Sequence, residues 1–147
     1  MFALLHDLAR CLIWLMFVAC LLAYSEMTQA AFTVSNASTS EEVLDQGATQ
    51  SASVAIESNA EMNDVNVQVS VVDATRRVVA KQAFNDKSFR AGDTKTFKAK
   101  FPTTKFAAGT YTLTVSIFGP NWTPTFHFED DLAKFNVVIP TKALKSH

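Results

Sequence analysis

Val65-Asn66-Val67-Gln68-Val69-Ser70-Val71 is the stretch that decides the fold. Four valines alternate with three uncharged polar residues. Successive side chains of a strand point to opposite faces, so the valines line one buried face and Asn66, Gln68 and Ser70 line the other. On a helix the same spacing would scatter the valines around the whole surface. The period of two recurs on both sides of this stretch. Ala52, Val54 and Ile56 share a face in SASVAIE. Phe97, Ala99 and Phe101 share one in TKTFKAKF, with Lys98 and Lys100 opposite. Tyr111, Leu113, Val115 and Ile117 share one in YTLTVSIF, with Thr112, Thr114 and Ser116 opposite. Phe135, Val137 and Ile139 share one in KFNVVIP, before Pro140 ends the strand.

Turn signals separate these runs: Asp45-Gln46-Gly47, Asn59-Ala60-Glu61, Asp73-Ala74-Thr75, Ala91-Gly92-Asp93, Ala108-Gly109-Thr110 and Gly119-Pro120-Asn121. The spacing predicts strands at about 32–36, 49–57, 64–73, 77–84, 94–101, 110–118 and 133–140. Ser40 to Leu44 (SEEVL) reads as one short helical turn capped by Ser40. The expected fold is all-β: an immunoglobulin or fibronectin III-like sandwich of about seven antiparallel strands. Gly109 and Tyr111 sharpen it. A tyrosine that opens the most hydrophobic strand just after a glycine turn is placed for a tyrosine corner, ring inward and hydroxyl bonded back to the preceding loop.

Outside this domain, Cys11 to Tyr24 is apolar throughout, follows Arg10 and precedes the small residues of TQAA (Thr28 to Ala31). A charged start, an apolar middle and a small-residue end describe a secretory signal, cut after Ala30 or Ala31. We therefore expect residues 1–30 to be a signal peptide and residues 31–147 to be one exported domain, secreted or periplasmic. The apolar run has 14 residues, whereas a spanning helix needs roughly 20. An uncleaved membrane anchor is the alternative, and would be the chain's one link to a membrane. Phe17-Val18-Ala19-Cys20 faintly resembles a lipoprotein signal, but Leu21, Leu22 and Ala23 continue the apolar run past the cysteine.

Both cysteines, Cys11 and Cys20, lie within that segment. The remaining chain has no thiol for a disulfide, a metal or nucleophilic catalysis, so its stability rests on the core. Removing Asp7, Glu26 and Arg10 leaves twelve acidic and twelve basic residues, a balance that draws neither nucleic acid nor an anionic membrane surface.

Candidate chemistry is sparse. His6 departs with the signal and His147 is the last residue, which leaves His127 between two phenylalanines. No G-x-S-x-G elbow supports a nucleophile. Glu129-Asp130-Asp131 lacks the alternating ligands and the glycine of a calcium loop. Arg76-Arg77 is a basic pair in a hairpin turn. Asn36-Ala37-Ser38 and Asn121-Trp122-Thr123 fit the N-glycosylation pattern, which matters only in a eukaryotic secretory pathway. No enzyme and no cofactor are expected.

The aromatic segment Gly119 to Phe128 (GPNWTPTFHF) is the candidate ligand-binding region, through Trp122, Phe126, His127 and Phe128. Pro120 and Pro124 stiffen it. Trp122 either presents a flat apolar face to a sugar ring or partner side chain, or folds back over the end of the sandwich. Phe126 and Phe128 alternate around His127, which predicts that both face the same way, and inward.

From Gln82 to Val138 the order of features resembles the immunoglobulin-like accessory modules of secreted bacterial polysaccharide hydrolases. Phe89 precedes the Ala91-Gly92 turn, and an aromatic strand runs from Phe97 to Phe101. Ala108-Gly109-Thr110-Tyr111 opens a strand ending at Phe118, followed by Asn121-Trp122, Phe126, Phe128 and Phe135 to Val138. The resemblance implies a non-catalytic module that binds polysaccharide or supports a partner domain. The second aromatic of the pair is often tryptophan in that family and is Phe128 here, a smaller stacking platform. The other expected partner is a cell-surface protein, in envelope assembly or adhesion, bound through exposed edge strands.

Overall fold

The computed structural model describes residues 31–141. Residues 1–30, expected to be a signal peptide, and the tail beyond residue 141 lie outside the described residues. The described chain is nine strands: β1 (Phe32–Thr39), β2 (Val43–Asp45), β3 (Thr49–Ser58), β4 (Met62–Val72), β5 (Val78–Phe89), β6 (Thr94–Pro102), β7 (Gly109–Phe118), β8 (Thr125–Glu129) and β9 (Lys134–Val138). One 3-10 turn, Pro120–Trp122, joins β7 to β8.

Two sheets pack face to face. The smaller has the order β1-β3-β6. The larger has the order β2-β9-β7-β4-β5, with β8 also paired to β7. β8 and β9 share one side of β7: β8 pairs with Val115 to Phe118, and β9 with Gly109 to Thr112. The alternation read from the sequence holds. Val67 pairs with Ile117, Val69 with Val115 and Val71 with Leu113, and all six are fully buried. Across the sandwich Ala52, Val54, Ile56, Phe97, Ala99 and Phe101 face them, each at most 5% exposed. Aromatic rings fill the core between: Phe32 lies edge-on to Phe89 at 5.4 Å, and Tyr111 packs at 4.8 Å from Phe106 and 5.7 Å from Phe135.

The tyrosine corner is present. The Tyr111 hydroxyl donates to the Ala107 carbonyl at 2.8 Å while its ring is buried. Gly109 before it has φ +152, a backbone conformation that L side chains rarely adopt.

Four expectations are corrected. Residues 40–44 form no helical turn; Val43–Asp45 is strand β2, parallel to β9, so the sandwich is not wholly antiparallel. β2 is held by its pairing with β9 and by the Asn136 N–H on the Glu42 carbonyl, and the residues just before it by Gln50, a fully buried amide. Its Oε1 accepts from the Ser40 hydroxyl at 2.7 Å and its Nε2 donates to the Glu41 carbonyl at 2.7 Å, which holds that backbone extended. A buried amide left unsatisfied is costly, so this pairing outweighs a single turn of helix. Next, β5 runs on to Phe89 and buries that ring. Then, β9 ends at Val138, and Ile139 is 65% exposed instead of joining the inward row. Lastly, the connection after β7 contains a real strand, β8.

Two of the four edge strands, β6 and β5, are altered for pairing. The Lys100 backbone N–H, at the outer edge of β6, donates to Gln82 Oε1 on β5 at 3.0 Å and ties the two sheets together. β5 also carries positive φ at Asp86, and β4 at Asp64, and the register between the two strands shifts on both sides of Val65, so this edge is bulged.

Two substitutions test the core. Leu113→Ala should lower the unfolding free energy by about 2–5 kcal/mol through cavity formation. Tyr111→Phe should cost about 1 kcal/mol, the typical net worth of one hydrogen bond. Urea unfolding followed by circular dichroism measures both; equal effects would contradict the corner geometry.

Candidate functional site

The polar partners of the valine row define the site. β4 turns Gln68 and Ser70 to the outer face of the larger sheet, and β7 turns Ser116 and Thr114 to the same face, directly opposite them in register. Gln68 Nε2 donates to the Ser70 hydroxyl at 3.1 Å. Ser70 and Thr114 are only 2% and 6% exposed, so the floor is sunken. Phe128 on β8 stands beside Ser116 and forms one wall; it is 59% exposed. Val72 and Val78 form the apolar side toward the β4–β5 hairpin. Together they enclose an open groove of about 330 Å³.

Arg76 and Asp130 close the hairpin end of the groove with an ion pair. Arg76 is held out by its turn. It has φ +66, and its N–H donates to the Asp73 carbonyl at 2.9 Å. Asp73 Oδ1 accepts from the Thr75 N–H at 2.9 Å, the Thr75 hydroxyl at 2.6 Å and the Arg77 N–H at 3.1 Å. The Thr75 hydroxyl bond above all, then the Arg77 amide, lower the Asp73 pKa from its ordinary 3.8 to about 2. Between β8 and β9, Lys134 Nζ lies 2.8 Å from Asp131 Oδ1 and holds that carboxyl below the usual carboxylate range.

The four aromatic-segment residues separate. The β7–β8 register slips between Ile117, opposite His127, and Phe118, opposite Thr125, so Phe126 is an extra residue. A one-residue bulge inverts the facing of whatever follows it. Phe126 therefore turns to the core, its ring 5.9 Å from Phe32, while Phe128 turns out beside Ser116. The expectation that both phenylalanines face inward is corrected for Phe128. His127 is half-buried on the other side of β8 from Phe128, with Nε2 3.2 Å from Glu129 Oε2. Trp122 is 38% exposed and packs against Phe118 at 5.4 Å, beyond the end of the groove opposite the hairpin. Of the segment, Phe128 lines the groove and Trp122 lies in line with it.

Gln68, Ser70, Thr114 and Ser116 match no binding motif in the sequence. Their signal was there. Gln68 and Ser70 on β4 and Thr112, Thr114 and Ser116 on β7 are successive outward positions without a charge, and together they present a neutral polar surface. Among the described residues no group of three His, Cys, Asp or Glu side chains is placed to hold a metal ion.

A model of the Wzt C-terminal domain family matches residues 26–146. The crystal structure of the C-terminal domain of Wzt superposes with a TM-score of 0.60 at 13% identity, over 82% of this chain and 87% of that one. The CARDB domain of a Pyrococcus furiosus protein, solved with di-metal ions, superposes with a TM-score of 0.53 at 11% identity, over 79% of this chain and 100% of that domain. At such identities the likeness is one of fold. No curated protein matches the chain.

The Asp73 turn gives a pH test. Its carboxyl has a lower pKa folded than unfolded, so it stabilises the hairpin above about pH 4 and loses that effect as pH falls through about 2. Asp73→Ala should lower the thermal midpoint at pH 7, and the gap from the parent should close between pH 4 and pH 2. A gap that stays constant over that range would contradict the hydrogen-bonded turn.

Proposed function

The chain belongs to the Wzt C-terminal domain family, and on that footing we propose that it is an exported, non-catalytic module that binds polysaccharide in the groove beside Phe128. The observation that carries this is the pairing of a neutral hydrogen-bonding floor with an exposed aromatic wall. A pyranose ring has apolar C–H faces and a rim of hydroxyls. Its faces pack on an aromatic ring while its hydroxyls exchange hydrogen bonds with amide and hydroxyl side chains. Phe128 supplies the first surface; Gln68, Ser70, Thr114 and Ser116 supply the second. The one cation and one anion in the groove, Arg76 and Asp130, neutralise each other. A neutral or weakly charged glycan suits that balance better than a polyanion.

The resemblance to accessory modules of polysaccharide hydrolases supports the same ligand class. Strand addition by a partner protein is less well served at β6, where Gln82 takes the Lys100 N–H, and at β5, which is bulged. Export rests on the Cys11–Tyr24 segment and the small residues after it. Mass spectrometry of protein recovered from outside the cytoplasm should show a chain starting at Ala31 or Phe32; a full-length chain confined to the cytoplasm would overturn export and leave the groove untouched.

Binding is tested on a glycan array carrying plant, fungal and bacterial polysaccharides, with insoluble chitin, cellulose and xylan beside it. The protein should retain at least one, and Phe128→Ala should weaken that binding about tenfold, the equivalent of ~1.4 kcal/mol. Its stability should change by no more than about 0.5 kcal/mol, since the ring is exposed. Retention on none, or unchanged binding by Phe128→Ala, would overturn the proposal.

A further inference from the structure

Beyond the groove, the outer face continues along β7 to Phe118, two residues past Ser116, a rise of about 7 Å. Trp122 packs on Phe118 there. The loop that presents it is built for the purpose. Asn121 and Trp122 have φ +56 and +65, two consecutive non-glycine residues in the left-handed region. That conformation is unfavourable, above all for a side chain as bulky as tryptophan, and persists only where the surroundings impose it. The surroundings do. Buried Asn66 reaches from β4 to donate to the Gly119 carbonyl at 2.9 Å, and the Gly119 N–H donates to the Pro124 carbonyl at 2.9 Å. A Cβ at Gly119 would lie 2.7 Å from the Thr123 carbonyl, so the loop closes this tightly only around glycine. The result is a rigid loop that holds a large aromatic ring 38% exposed when the core a few residues away has taken in Phe126.

We infer that Trp122, seated on Phe118, is a second sugar-binding platform in line with Phe128, and that the ligand is therefore an extended chain spanning both and not a single sugar. This rests on the groove being a polysaccharide site. A glycan laid along β7 from the Arg76–Asp130 end passes Phe128 first and Trp122 second. Short oligomers fill the groove alone; longer ones gain the Trp122 face.

Trp14 and Trp122 are the chain's two tryptophans. In the full chain carrying Trp14→Phe, fluorescence therefore reports Trp122 alone. The probes are xylo-, cello-, chito- and manno-oligosaccharides of two to six units. For the series that binds, affinity should rise about tenfold from the shortest to the longest oligomer, and Trp122 emission should shift only with the longer ones. Trp122→Ala should abolish the rise and keep the affinity for the shortest; Trp122→Phe, which keeps an aromatic face, should retain part of it. Circular dichroism checks that both variants fold. A length dependence that survives Trp122→Ala, or emission that shifts equally with the shortest oligomer, would overturn the platform while leaving the groove standing. Phe128→Ala with parental affinity at every length, or no binding by any series, would overturn the groove and the platform together.

Discussion

A strand shows its side chains to two faces in strict alternation, and everything in this molecule follows from how β4 and β7 use that constraint. Their inward residues, Val67, Val69 and Val71 against Ile117, Val115 and Leu113, are the fully buried centre of the sandwich. Their outward residues, Gln68 and Ser70 against Ser116 and Thr114, are the floor of the groove. Core and candidate site are two sides of one pair of strands. The floor is therefore as rigid as the core beneath it, which suits a site that must hold hydrogen-bonding groups in fixed positions. A slip of one residue between the two strands would exchange valines for glutamine and serine and destroy both at once.

That constraint also explains what was legible in the sequence. The valine row, the Phe97–Phe101 row and the Tyr111–Ile117 row each announce a half-buried strand, and each is found where its period places it. Tyr111 was legible as a corner because a glycine turn precedes it. The missed features are those that local pattern does not encode. β2 is extended because it pairs with β9, far along the chain, while Gln50 holds residues 40–41 just before it. The opposed facing of Phe126 and Phe128 comes from a bulge, which depends on register with β7 and leaves no mark in the alternation Phe-His-Phe. The groove floor was written in the sequence as uncharged outward residues on two strands, but only their pairing shows that these form one surface.

The core holds without a disulfide because its aromatic content is high. Phe32, Phe89, Phe97, Phe101, Phe106, Tyr111 and Phe135 are all buried, and rings of this size dominate the apolar area a small sandwich can remove from water. The same architecture recurs in the C-terminal domain of Wzt at 13% identity. So few shared residues suffice because the fold asks only for period-two patterning and adequate volume inside. The outward residues are free of that demand and can differ from one member to the next.

The central claim is that the outer face of the larger sheet, and not the serine- and lysine-bearing outer face of the smaller one, meets the glycan. Backbone amide NMR shifts, recorded while a bound oligosaccharide is titrated in, test it most directly. The account predicts shifts at Gln68, Ser70, Thr114, Ser116 and Phe128, with Ser51, Ser53, Lys98 and Lys100 unmoved. Shifts centred on those last four, with the groove silent, would contradict it.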